Sequence, residues 1–276
     1  MSLRLPTGLS PSKVESFKSC PLAFRFSAID RVPEPPSVAA SKGTLVHRAL
    51  ELLHLEEPVE RTREMGLAAL DRAATEFHEH PDFTGLHLDD RGEQDLLDGA
   101  EKLVRRYFEL EDPAKVRAIG LELRLEAKVG SLVLRGIIDR LELDDDGELV
   151  ITDYKTGRTP HANHESGRLG GVHFYAYLCE QILGRRPARV QLLYLAEPLA
   201  IIATPTEQSI RFLPKKAAAI WQAVERACAT EDFRPRTGPL CNYCFYKTWC
   251  PAYGGDPSRA VLEADALMTP VATSAA

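Results

Sequence analysis

No stretch of this 276-residue chain approaches the apolar length of a membrane span, and its first residues lack the basic-then-apolar pattern of an export signal. A cytoplasmic protein with no membrane partner is therefore expected. An excess of basic residues is also missing. Lys and Arg number 34 against 40 Asp and Glu, a net charge of -6, which argues against a uniformly positive coat for nucleic acid while leaving room for a local basic groove. No internal repeat is present, so a solenoid is excluded. Cysteine is scarce at six, and only one C-x2-C pair occurs, so the usual two-knuckle zinc site is absent. What remains, 27% charged and 44% hydrophobic, is ordinary globular composition with enough length for a real core.

The most informative stretch is LRGIIDRLELDDDGELVITDYKTG, residues 134–157. Two runs of strand-like alternation flank an acidic turn that ends in Gly147, so an antiparallel hairpin is expected. In the first run Asp139 shares its parity with Val133, Ile137, Leu141 and Leu143, which places a carboxylate on a largely apolar face. In the second, Leu149, Ile151, Asp153 and Lys155 share a face. If the turn centres near Asp146, Asp139 and Asp153 lie opposite one another, their Cβ atoms ~5 Å apart. Two acids so placed suit a shared divalent cation.

Elsewhere the pattern predicts a helix from about Ser10, with Ser12 and Glu15 in capping-box relation and Cys20 in its later part. A proline-rich loop follows, then the amphipathic helix SKGTLVHRALELLHL carrying His47. Further helices are expected over about 59–80 and 89–111, strands from 116 to 155, a helix over 165–183, strands near 190–195 and 199–204, and a helix over 214–229. Residues 1–255 are read as one domain, with a helical insertion at about 59–111 and a Cys-rich loop at 233–251. Residues 256–276 are expected to be disordered.

Cys241, Cys244 and Cys250 form C-x2-C-x5-C, and Cys20, like Cys250, precedes a proline. Thiolates at this spacing converge on a metal centre, and Cys20 is the natural fourth ligand, because Cys179 and Cys228 fall within apolar helices as small buried hydrophobes. One distant cysteine plus a triplet suits a 4Fe-4S cluster better than Zn2+, which stays open as the alternative.

These pieces together resemble the RecB-like exonucleases of the PD-(D/E)XK nuclease superfamily, in the iron-sulfur branch that includes the CRISPR-associated RecB-like exonucleases. SPSKVESFKSCPLAFRF resembles the helix bearing the first cluster cysteine and GTLVHRALELL the histidine motif. GIIDR with ITDYKTG is similar to the metal-binding core, and CNYCFYKTWCP to the cluster loop. The resemblance implies an α/β fold, a mixed central β-sheet flanked by helices as in restriction endonucleases, its terminal segments joined by the cluster. It implies a Mg2+- or Mn2+-dependent deoxyribonuclease acting as an exonuclease on single-stranded DNA ends in repair or processing, with a helicase as one partner. His47, Asp139 and Asp153 would be metal ligands, with the Tyr154 carbonyl a further one, and Lys155 the catalytic lysine. Cys20, Cys241, Cys244 and Cys250 would hold the cluster. The alternatives are a CRISPR-associated spacer-processing nuclease and a catalytically silent iron-sulfur DNA-binding subunit of a helicase complex. One departure is Gly171, where relatives often carry Gln a turn before Tyr175.

Plainer roles compete at several positions. Asp139 and Asp153 could form a structural pair, Lys155 could only neutralise Asp153, and His47 taken alone is an ordinary helix histidine. Glu122 lies on the polar parity of its strand and is expected to face solvent. Tyr175 shares a face with Leu178, Cys179 and Ile182 and is expected in the core, while Arg158 reads as a solvated loop arginine. The acidic turn is not a calcium loop, because strands flank it and the closing Glu is missing.

Overall fold

The computed structural model describes residues 3–159 and 165–268, the side chains of 165–170 and 265–268 excepted. In chain order the elements are α1 (Pro11–Ser19), α2 (Pro21–Phe24), α3 (Val38–Leu55), α4 (Arg63–Phe77), α5 (Pro81–Thr84), α6 (Asp90–Leu110), β1 (Arg117–Val129), β2 (Leu132–Leu143), β3 (Leu149–Lys155), α7 (Glu165–Leu183), β4 (Arg189–Tyr194), β5 (Leu199–Ala203), α8 (Glu207–Thr230) and α9 (Ala260–Met268). They group into two compact units. The first comprises Met1–Pro35, Lys128–Leu134 and Pro214–Ala276, and the second Pro36–Ala127 and Arg135–Leu213.

The sheet has the order β1-β2-β3-β4-β5. β2 and β3 pair antiparallel, β3 and β4 parallel, and β4 and β5 antiparallel, which is the mixed sheet expected. A parallel pair needs a crossover long enough to carry the chain back, and α7 supplies it. β3 is buried on both faces from Leu149 to Tyr154, as a central strand should be. The hairpin register is Arg140 to Thr152, Leu141 to Ile151, Glu142 to Val150 and Leu143 to Leu149. Its turn therefore centres at Asp146. The Asp144 side chain accepts the amides of Asp146 and Glu148 at 3.1 and 2.9 Å, and Gly147 takes φ +75°, a left-handed conformation that glycine adopts without steric cost.

Within the second unit, α3 packs on α4 and α6. Leu45, Ala49, Leu50 and Leu53 bury at helical spacing with Leu70, Ala73, Leu96 and Val104, each leucine contributing about 1.5–3 kcal/mol by its removal from water. Asp89 caps α6 by accepting the Gly92 amide at 2.8 Å. Burial confines His47 to one side of α3, because the opposite side carries these leucines.

The first unit has its own core of Leu22, Phe24, Phe26, Val224, Phe233, Tyr246 and Trp249. Four expectations change here. The N-terminal helix is interrupted, α1 ending at Ser19 and α2 starting at Pro21, since Pro21 has no amide to continue the ladder. Its cap is Ser10, which accepts the Lys13 amide at 3.2 Å, rather than a Ser12–Glu15 box. Past residue 256, where disorder was expected, α9 forms and buries Ala260 and Ala264, while residues 269–276 lie outside those described. α8 also begins earlier than expected, at Glu207, and carries Pro214 internally.

Candidate metal centre and active site

The ladder between β2 and β3 stops one pair before Asp139 and Asp153. There Asp139 turns its carboxylate onto the opposing backbone, and Oδ2 accepts the Tyr154 amide at 2.7 Å. The face is more open than the parity suggested. The opposite parity of β2 is buried from Leu132 to Glu142, whereas on the face of Asp139 only Leu141 is buried and Ile137 is 43% exposed. Asp139 thus sits near solvent on one side and against protein on the other, as a ligand-binding acid must.

His47 reaches the same point from α3, its Nδ1 3.5 Å from Asp139 Oδ2. The imidazole also hydrogen-bonds the Tyr154 carbonyl. Its ring meets that of Tyr154 edge-on at 5.9 Å. Burial lowers its pKa, against the opposing pull of Asp153 and Glu122, so near neutral pH the ring is uncharged and able to donate a nitrogen lone pair.

Glu122 completes the group. Among the described residues, the set of three whose potential metal-donor atoms all lie within 4.8 Å of one another is His47, Glu122 and Asp139. Glu122, expected to face solvent, is half-buried beside His47 and Asp139. The alternation of β1 changes phase at this point: Ala118 and Gly120 are the covered positions before it, Leu125 and Ala127 those after. Glu122 sits at the change with φ +44°, the marks of a bulge that re-aims a side chain. A left-handed non-glycine residue costs on the order of 1–3 kcal/mol and is characteristically held at functional sites.

Asp153 is buried, with Lys155 Nζ as ion-pair partner of its Oδ2. That oxygen accepts no hydrogen bond of ordinary geometry. Asp153 is not within the 4.8 Å set, where Glu122 stands in its place. Burial and then the Asp153 charge push the Asp139 carboxyl up to about 7. Burial, followed by Asp139, raises Glu122 as well. Carboxylates crowded in this way release their protons most readily to a bound cation.

Behind the site lies a polar network that the parity argument did not expose. Arg140 is fully buried on the other face of β2. Its Nε donates to Glu142 at 2.5 Å, Nη2 to Glu111 at 2.9 Å and to Thr152 at 3.1 Å, and Nη1 to the Tyr154 hydroxyl at 2.8 Å. His54 accepts from Arg140 Nη1 at 2.9 Å and stays neutral, because burial and then Arg140 hold its pKa down at about 2. The Tyr154 side chain is thereby tied from behind while its amide holds Asp139 in front. The signal was present in the sequence as Arg140, Glu142 and Thr152, polar residues on a face otherwise apolar.

Tyr175 is not simply core. Its ring lies where a Cβ on Gly136 would come within 2.9 Å. Burial first, then the charges of Asp153, Asp139 and Glu122, raise its pKa. A cleft of about 650 Å³ opens along α3, with Ala40, Gly43 and Thr44 on one side and His47, Glu122 and Arg124 at its active end.

In the first unit, Cys20, Cys241, Cys244 and Cys250 are free thiols that converge on one loop. The Arg236 amide donates to Cys20 Sγ at 3.4 Å and the Gly238 amide to Cys241 Sγ at 3.3 Å. Burial raises the Cys244 pKa, and Cys20, Cys241 and Cys250 raise it further. Amide donors aimed at mutually repelling sulfurs fit a metal-thiolate centre. Cys179 and Cys228 are buried in apolar surroundings, as expected.

A mixed sheet whose hairpin presents Asp139 and Asp-Tyr-Lys, with a histidine from α3, defines a nuclease core. The PD-(D/E)XK nuclease superfamily profile matches residues 8–251, and the chain belongs to that superfamily. Among individual proteins it is similar to the Gene 69 protein of Mycobacterium phage D29, 23% identical over 271 residues, covering 88% of this chain and 96% of the phage protein. It shares its fold with a solved protein of Eubacterium rectale that carries an unproven exonuclease assignment, at TM-score 0.56 and 15% identity over 86% of this chain and 87% of that one. No helix among the described residues is long and apolar enough to cross a membrane.

Proposed function

We propose that the protein is a divalent-metal-dependent DNA exonuclease that works on single-stranded ends in repair or processing. The observation that carries this reading is the convergence of His47, Asp139, Asp153 and Lys155 at one end of the hairpin, in a chain of nuclease ancestry. A Mg2+ or Mn2+ ion held by His47, Asp139, Asp153 and the Tyr154 carbonyl supplies Lewis-acid chemistry, activating water and neutralising phosphate charge. The protein's own contributions are separable from this. Asp139 is oriented by the Tyr154 amide, His47 is kept neutral by burial, and Lys155 places a positive charge beside Asp153, where charge develops on the phosphate. The small residues Ala40 and Gly43 in the cleft wall leave room for a backbone to pass, and Arg124 offers it a cation.

A 4Fe-4S cluster on the four cysteines is part of the same proposal. Its support is the pattern of one distant cysteine, Cys20, with the Cys241, Cys244 and Cys250 triplet, and the backbone amides directed at two of these sulfurs. The test is to purify the protein without oxygen, measure iron, zinc and absorption near ~400 nm, and incubate it with end-labelled single- and double-stranded DNA and Mn2+. Progressive release of nucleotides from single strands, abolished by Asp153→Ala, is the expected result. Unchanged digestion by Asp153→Ala would remove the active-site assignment, and zinc without iron the cluster.

A further inference from the structure

We propose that Glu122 is a direct ligand of the divalent ion, an inference that rests on reading the His47–Asp139 cluster as the metal centre. The charges around the cluster lead to it. Asp153 already has a cation, Lys155, as its ion-pair partner. Asp139 has no lysine or arginine ion pair among the described residues: its Oδ2 takes a backbone amide and lies 3.5 Å from His47 Nδ1. Glu122 makes neither a hydrogen bond nor an ion pair among the described residues, although it is half-buried and its donor atoms, with those of His47 and Asp139, form a set within 4.8 Å. Two carboxylates that form no lysine or arginine ion pair among the described residues, together with one imidazole nitrogen, match a divalent cation in both charge and donor type.

The backbone gives the arrangement its direction. Glu122 keeps the parity of Ala118 and Gly120, the covered positions ahead of the change of phase, whereas Arg124 and Glu126, of the same parity but beyond it, are exposed. Glu122 stands at the change itself, with a left-handed backbone and its carboxylate at the acidic cluster. Solvation alone gives no reason for that turn, because an outward Glu needs no special conformation. The ligand set then gains a member from a third segment, so the ion joins α3, β1 and β2, and its binding reports on all three.

The experiment is Mn2+ binding to the full-length, chelator-stripped protein without nucleic acid, followed by the electron paramagnetic resonance of free Mn2+ at pH 7.5. Glu122→Gln and Glu122→Gly are both expected to weaken binding at least about tenfold. Glycine adopts the left-handed backbone freely, so equal loss in both variants assigns the effect to the carboxylate. Glu126→Gln, on the same strand and bonded to Arg135 at 2.6 Å, is expected to bind as wild type does. Binding within twofold of wild type in Glu122→Gln, alongside loss in Asp139→Asn, would overturn the Glu122 assignment alone. Retained binding in Glu122→Gly would also overturn it, because the backbone and not the carboxylate would then be what this position supplies. Retained binding in Asp139→Asn would overturn the metal-centre reading and this inference with it.

Discussion

Replacing Asp139 by Asn should make the metal-free protein more stable while removing its activity. Burial and the neighbouring Asp153 charge raise the Asp139 carboxyl from 3.8 to about 7. Folding therefore favours its protonated form. The unfolded chain binds fewer protons than the native one between pH 3.8 and about 7, so this group's contribution to stability falls as pH rises through that window. The gap corresponds to roughly 4 kcal/mol of differential interaction. Asn acts as a permanently protonated Asp, able to keep the Tyr154 amide bond through its carbonyl oxygen. In chelator, urea unfolding of the two proteins should nearly coincide at pH 4, and by pH 8 the variant should lead by up to roughly 4 kcal/mol. With Mn2+ at about 100 times its dissociation constant, the wild type alone should gain ~2.7 kcal/mol. A difference between the two proteins that does not change with pH, or equal stabilisation of both by Mn2+, would refute the account of the site as crowded carboxylates waiting for a cation.

Other outcomes follow from the same contacts. Arg140→Ala leaves Glu111 and Glu142 without the guanidinium they share, and unfolding measurements should show a loss of about 3–5 kcal/mol. Gly136→Val drives a methyl group into Tyr175 and Leu178, so a loss of about 1–3 kcal/mol should appear in thermal melts, together with a change in Tyr175 fluorescence or chemical shift. Mn2+ affinity in the wild type should rise with pH and level off above about 7, where Asp139 is ionised, and titration calorimetry across pH 5.5–8.5 would measure it. Cys20→Ser should lower bound iron and absorption near ~400 nm while leaving Mn2+ binding unchanged, because Cys20 lies in the first unit and the Mn2+ ligands in the second.

What could be read directly from the chain was whatever local pattern controls. Strand parity and the glycine after three aspartates determined the β2–β3 register, since a hairpin's turn leaves one pairing that keeps both apolar faces inward. Lys155 followed from the same parity, two residues beyond Asp153, where it forms the ion pair with Asp153. Three things were decided only by tertiary structure. Glu122 depended on a bulge in β1, which alternation cannot foresee because it is the place where alternation fails. Arg140 acquires its role only in the folded chain, where His54, Tyr107, Glu111 and Tyr154 surround it. The order past residue 256 also depended on distant partners, since Ala260 and Ala264 are too small to announce a core and are buried only because Trp249 and Phe24 lie in the same cluster. Local sequence sets the direction of each side chain from its strand or helix; which side chains then meet depends on packing between segments that lie far apart in the chain.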